Sequence, residues 1–282
     1  MQYGMNFLLW TDLMHDGLIP VLENVKSMGY DGVELPIFEL DTAHWEKWGK
    51  ILDDMGLRRT AVTVRGEDEN PISMDDAIQK AGTDANLLTV DCCEALGAET
   101  LCGPYHSAIG IFSGEGPTDE EWARGVDSMK QVADRAGKAN VMLACESLNR
   151  FETYLLTCID DAVRFVEAVD HPNCRLMYDT FHANIEEKDP IAAIKRAAPY
   201  MAHVHISEND RSTPGQGNIP WEDTWDALKE VNYDGWLTVE AFGLALPAIA
   251  AATKIWRKMY DSEEQLASDG LAFMKAHVDR RW

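Results

Sequence analysis

The sequence predicts an α/β fold, a (β/α)8 TIM barrel, and three observations carry that prediction. Short β-rich runs alternate with longer amphipathic stretches from one end of the chain to the other, the pattern of repeated βα units on a parallel sheet. Eight such units in 282 residues average about 35 residues each, the size of a barrel unit. Four acidic or imidazole residues close four successive apolar runs: Glu146 ends V-M-L-A-C-E, Asp179 follows R-L-M-Y, His205 follows A-H-V, and Glu240 ends W-L-T-V-E. Charged residues are excluded from the middle of buried strands, so their recurrence where strands stop marks a shared rim.

Strands are expected at 4–10, 31–36, 58–64, 99–104, 141–146, 174–178, 201–206 and 236–241. Between them the helices show a 3.6-residue period: Ile19, Leu22 and Val25 share one stripe, as do Ala162, Phe165, Val166 and Val169. Thr118, three positions before Glu121, forms a capping box for the fourth helix, and Gly137 is expected to close it. From Ala248 to Met259 and from Glu263 to the end the pattern is helical, with Trp256 and Trp282 exposed or half-buried. This C-terminal helical extension, about 248–282, is expected to cover the bottom of the barrel or to pack against a second subunit. No linker, repeat or low-complexity tract divides the chain, so 1–282 reads as one domain.

The composition narrows the partners. With 46% hydrophobic residues and nine Trp there is material for a large core. The first residues carry no basic n-region and only a short apolar stretch, so neither a signal peptide nor a membrane span is expected and the protein is read as soluble and cytoplasmic. Six cysteines (Cys92, Cys93, Cys102, Cys145, Cys158 and Cys174) form no C-x-x-C pair and are read as buried free thiols. A formal net charge of −23 repels phosphate backbones and argues against a nucleic-acid partner. That leaves a small-molecule partner, and the expected assembly is a homodimer or homotetramer.

In a TIM barrel the active site forms at the C-terminal ends of the strands, so Glu146, Asp179, His205 and Glu240 fall on one arc of that rim. Three carboxylates and one imidazole are a hard, oxygen-rich ligand set, which favours Mn²⁺, Co²⁺ or Mg²⁺ over a thiolate zinc site. Asn149, Arg150 and Glu152 follow Glu146, His182 follows Asp179, and Glu208, Asn209 and Arg211 follow His205, a density of donors and acceptors that suits a polyhydroxylated ligand. For Arg150, Glu186 and Glu187 ordinary surface ion pairing is an equal alternative. His203 and His205 point to the same side of their strand. The ligand is assigned to His205, nearer the strand end, and His203 is left as a core histidine.

The stretches E-S-L-N-R-F-E (146–152), D-T-F-H-A-N-I-E-E (179–187) and H-V-H-I-S-E-N-D-R-S-T-P-G-Q-G-N-I-P-W (203–221), with V-E-A-F at 239–242, closely resemble the D-tagatose and D-psicose 3-epimerase family. That family belongs to the sugar isomerase and endonuclease IV-like barrel superfamily. The resemblance implies that Glu146, Asp179, His205 and Glu240 bind Mn²⁺ or Co²⁺. It also implies that Glu146 and Glu240 double as the acid/base pair, and that Glu152, His182 and Arg211 hold the sugar. The implied reaction is epimerisation of a free ketose at C3 through a cis-enediolate.

Departures from the family pattern fall at Ala241, in the first strand, and in the loop after strand four, where Tyr105 and His106 stand in place of an expected aromatic lid and are taken as substrate contacts. An aldose-ketose isomerase, a lyase or isomerase acting on a 3-oxo sugar or C-glycoside, and a non-catalytic sugar-binding protein remain the alternatives.

Overall fold

The computed structural model describes Met1–Trp282. Eight parallel strands close in sequence order: β1 (Gln2–Asn6), β2 (Gly32–Pro36), β3 (Arg58–Val62), β4 (Thr100–Gly103), β5 (Met142–Cys145), β6 (Cys174–Asp179), β7 (Met201–Ile206) and β8 (Trp236–Val239), the last pairing with β1. Around them run α1 (Ile19–Met28), α2 (Thr42–Met55), α3 (Asp76–Leu96), α4 (Asp119–Ala139), α5 (Ile159–Val169), α6 (Thr180–Glu186), α7 (Pro190–Ala197), α8 (Trp221–Glu230), α9 (Pro247–Thr253) and α10 (Glu263–Arg281). This is the expected single-domain TIM barrel. No helix is long and apolar enough to cross a membrane.

Local chemistry sets most boundaries. Asp41, Asp75 and Ser262 each accept main-chain N–H groups at the start of α2, α3 and α10, and Thr118 with Glu121 forms the expected capping box on α4. The stripe Ala162, Phe165, Val166 and Val169 is buried, so α5 packs by the face its period predicts. All six cysteines are free thiols, five of them buried and Cys158 partly so.

Three expectations are corrected. The first strand starts at Gln2 and stops at Asn6, because the Asn6 side chain accepts the Leu8 N–H and bends Phe7–Leu9 into a 3-10 turn. The fourth helix runs past Gly137 to Ala139 and is closed by Asn140 in the left-handed conformation (φ 56°), whose N–H returns to the carbonyls of Ala136 and Gly137. The tail is not a cover for the barrel bottom. Its α10 packs against α8, α1, β8 and β1, so it completes the outer ring, tied by Tyr30 Oη donating to Ala267 O at 2.7 Å. Only Pro247–Thr253 of the 248–259 stretch is helical, and that short helix lies at the opposite end, with Ile249, Ala252 and Thr253 lining a pocket in the C-terminal face.

The barrel interior is polar directly beneath that face. Asn6, Glu34, Thr60, His203 and His205, from four strands, are buried there and contact one another. Branched apolar residues are the usual filling of a TIM barrel, so a polar layer at this level signals a function above it.

Candidate active site and metal centre

Each rim residue is delivered by the end of its own strand. Glu146 follows β5, Asp179 is the last residue of β6 and pairs in register with His205 of β7, and Glu240 follows β8. All four are buried. A pocket of about 120 Å³ opens above them, with Glu146, Glu152, His182, Arg211 and Glu240 as its polar wall. Leu8, Val62, Leu148 and Phe242 contribute to the apolar wall.

Arg211 is the one basic residue lining this pocket apart from His182. It sits at φ 63°, a left-handed position uncommon for a non-glycine residue, and its guanidinium carbon lies 3.7 Å from the Phe181 ring centroid and 5.1 Å from that of Phe242. Its Nη1 bonds Glu240 Oε2, Asp179 Oδ2 at 3.1 Å and Ser207 Oγ at 3.2 Å. Burial raises the Asp179 pKa, but Arg211, then His182 and His205, outweigh it and hold the carboxyl well below its usual range. Glu146 goes the other way: burial and then the charges of Glu240 and Asp179 push it well above the usual carboxylate value.

His182 Nδ1 faces the Asn149 main-chain N–H at 3.0 Å, and its Nε2 lies 2.8 Å from Arg211 Nη2. Burial first, then Arg211, pushes its pKa down to about 3, so the ring is neutral. A neutral imidazole accepts at one nitrogen only, so one of these contacts sets donor against donor. Glu152 accepts from Asn149 Nδ2 at 2.7 Å on the same side of the pocket.

The donor set fits a divalent ion. Two overlapping groups, Asp179–His205–Glu240 and Glu146–Asp179–His182, each have ligand atoms within 4.8 Å of one another. The four expected ligands thus fall into two groups that share Asp179, and His182 joins one of them. His205 Nδ1 is buried without a hydrogen-bond partner, 3.3 Å from Glu240 Oε1 and 3.7 Å from Asp179 Oδ2. An orphaned imidazole nitrogen aimed at two carboxylates is what a cation between them requires.

The structure also sorts the other expected residues. His203 lies one layer deeper, its ring centroid 5.2 Å from that of His205 and its Nε2 2.8 Å from Glu34 Oε2, though not in line for a hydrogen bond. Tyr105 and His106 do not reach the pocket, which corrects their reading as substrate contacts. The chain turns at Gly103 (φ 117°), where a Cβ would meet Thr63 O at 2.2 Å. The segment that follows buries Tyr105 in the core, with Oη donating to Leu101 O at 3.1 Å. His106 Nε2 donates to the Glu146 carbonyl at 2.8 Å, and burial holds its pKa down to about 4. Tyr105→Phe is therefore expected to lower unfolding free energy by about 1 kcal/mol, the value of one such bond, and to leave KM unchanged. Denaturant titration beside steady-state kinetics checks this, and a raised KM would return Tyr105 to the pocket.

Glu208 is no sugar contact either. It is fully buried and accepts from the N–H groups of Asn209, Gly215 and Ile219 and from Trp221 Nε1, so it organises the loop that carries Arg211. The exposed Arg150 pairs with the largely buried side chain of Glu186, and Glu187 accepts the Ile159 N–H at the start of α5. Glu34 was not singled out from the sequence. Its signal was a carboxylate in the middle of the buried run V-E-L, a position where charge is excluded unless it is paired.

The sequence model of the xylose isomerase-like TIM barrel family matches residues 22–277. The chain belongs to this family. Within the xylose isomerase-like barrels its likeness is to the ketose 3-epimerases. It is 40% identical to the D-psicose 3-epimerase of Ruminiclostridium cellulolyticum over 284 aligned positions, covering 95% of this chain and 96% of that one. An L-ribulose 3-epimerase structure superposes with a TM-score of 0.92 at 29% identity, covering 99% of this chain and 95% of that one. The D-allulose 3-epimerase of Methylomonas sp. in complex with D-allulose superposes with a TM-score of 0.91 at 27% identity, covering 100% and 97%. The resemblance read from the second half of this xylose isomerase-like barrel therefore extends over nearly its whole length.

Proposed function

We propose that this isomerase is a metal-dependent ketose 3-epimerase acting on a free sugar, with Glu146 and Glu240 as its acid/base pair. The observation that carries the reading is that these two buried carboxylates line one pocket from strand ends three places apart on an eight-strand rim. Relatives named D-psicose and L-ribulose 3-epimerase support the same reaction class.

Inverting C3 of a ketose requires loss of its proton on one face and gain of a proton on the other. One carboxylate takes the C3 proton, and the C–H electron pair moves into an enediolate across C2 and C3. The other glutamate, which enters the step as the carboxylic acid, gives its proton to the opposite face of C3 as the C2 carbonyl re-forms, so the two groups exchange protonation states and no redox partner is needed. A divalent ion held by Glu146, Asp179, His205 and Glu240, Mn²⁺ or alternatively Co²⁺ or Mg²⁺, would stabilise the negative charge that builds on the ketose oxygens.

Arg211, clamped between Phe181 and Phe242, and neutral His182 would fix those oxygens, and Glu152 would accept from a hydroxyl. Arg211 is the only Lys or Arg in the pocket wall, which favours a free sugar over a phosphorylated one. The reading includes a cytoplasmic location, supported by the six free cysteines, and a homo-oligomer, supported by the exposed apolar side chains of Phe151 and Trp256.

The test is a product screen with D-fructose, D-tagatose, D-allulose, L-ribulose and 3-oxo glucosides in D₂O with Mn²⁺. A C3 epimer carrying deuterium at C3 is expected. A product with its carbonyl moved would make the enzyme an aldose-ketose isomerase. Absence of deuterium beside the carbonyl in every substrate would leave a binding protein.

A further inference from the structure

His205 presents two nitrogens to two different surroundings, and only one of those surroundings belongs to the pocket. Nδ1 faces Asp179 and Glu240, whereas Nε2 points down into the barrel and lies 2.7 Å from Glu34 Oε1. Both side chains are completely buried, so no exchange with bulk solvent relieves either nitrogen. The other group near Nε2 is Cys102 Sγ at 3.7 Å, a weak partner.

Beside His205, two further groups hold Glu34. Asn6 Nδ2 donates to Oε1 at 2.9 Å and Thr60 Oγ1 donates to Oε2 at 2.8 Å. The Asn6 amide cannot turn round, because its Oδ1 is committed to the Leu8 N–H at 2.8 Å. His203 Nε2 lies 2.8 Å from Oε2. The Asn6 amide and the Thr60 hydroxyl both donate to this side chain, so a carboxylate suits the place better than an amide. The grouping of Glu34, Cys102, His203 and His205 is close enough to suggest a second ion site. The hydrogen bonds that Glu34 already accepts argue against that use.

We propose that Glu34 is a positioning residue for the metal centre: it takes the Nε2–H of His205, fixes the plane of the ring, and so commits Nδ1 to the ion. A carboxylate behind an imidazole also makes the imidazole a stronger donor to a metal. The inference rests on the proposed ion site above it. Glu34 touches neither the pocket nor its ligand, and it acts only through His205.

The test is Co²⁺ binding by calorimetry, with the visible spectrum of the bound Co²⁺ and the melting temperature of the EDTA-treated protein, in the parent, Glu34→Gln and Thr60→Val. Glu34→Gln is expected to raise the Kd for Co²⁺ by about 10- to 100-fold and to shift the spectrum, the usual consequence of losing a partner behind a ligand histidine. Thr60→Val, which keeps the carboxylate but frees one of its oxygens, is expected to raise Kd by a smaller factor in the same direction, and it decides the matter if Glu34→Gln does not fold. A parent that binds Co²⁺ and folded variants that bind it equally well, with an unchanged spectrum and only a lower melting temperature, would make Glu34 a core residue and overturn the inference alone. A parent that binds no Co²⁺ overturns the metal reading and this inference together.

Discussion

Glu240→Gln is expected to lower kcat by about 10²- to 10⁴-fold with the barrel intact, the range that a positioned acid or base contributes. Glu240 follows β8 and is buried, with Oε2 bonded to Arg211 and Oε1 3.3 Å from His205 Nδ1. An amide keeps the size of the side chain but cannot carry the proton of C3. The two-base scheme makes a sharper demand than loss of turnover. With Glu240 disabled, Glu146 still removes the proton from its own face and returns a solvent deuteron to the same face. One epimer should therefore exchange with D₂O without inverting, and Glu146→Gln should show the mirror pattern with the other epimer. The measurement is NMR of each ketose in D₂O at saturating Mn²⁺, which separates a lost base from a weakened ligand. Full activity in Glu240→Gln would sink the two-base assignment, and loss of exchange from both epimers would point to a single base.

Chelation is the second large effect. EDTA should abolish turnover, and Mn²⁺ or Co²⁺ should restore it, because the charge that forms on the ketose oxygens otherwise meets Arg211 as the only Lys or Arg in the pocket wall. The chain should stay folded during the cycle. Arg211 already bonds Asp179 and Glu240, so these buried carboxylates keep a countercharge when the ion leaves. Circular dichroism should therefore hardly change. Re-adding the ion at about 100 times its Kd should add about 2.7 kcal/mol of stability, seen as a melting point several degrees higher. A chelator-insensitive enzyme would refute the metal centre. An unfolded one would show that Arg211 does not supply that countercharge.

Local chemistry and local pattern explain what was legible in the sequence. A period of 3.6 marked the buried face of α5, and Thr118 with Glu121 marked the start of α4, because a stripe or a cap is formed by residues a turn apart. Glu146, Asp179, His205 and Glu240 stood out because charge at the end of an apolar run is costly unless something uses it. The misreadings came where the local pattern allowed more than one outcome. Asn140 rather than Gly137 closes α4, a choice between two residues that both suit a helix end. Tyr105 and His106 sit in a rim loop by sequence, yet the turn at Gly103 and the core beneath it bury them. Glu208 has the sequence context of a sugar contact, yet its oxygens are committed to its own loop and to Trp221.

The sequence by itself determined the eight βα units, the rim on which the chemistry sits and the hard donor set gathered there. These follow from periodicity and from the cost of burying charge, which act within a strand or a helix turn. Tertiary structure alone decided that α10 closes the ring while α9 sits at the mouth of the pocket, that Arg211 is clamped between Phe181 and Phe242, and that Glu34 stands behind His205. Glu34 and His205 are 171 positions apart in the chain and meet only because barrel closure through β8 and β1 brings β2 and β7 within three places of each other around a narrow interior. No local pattern encodes that meeting, since the free energy that selects it comes from donors and acceptors on four strands that must satisfy one another out of water.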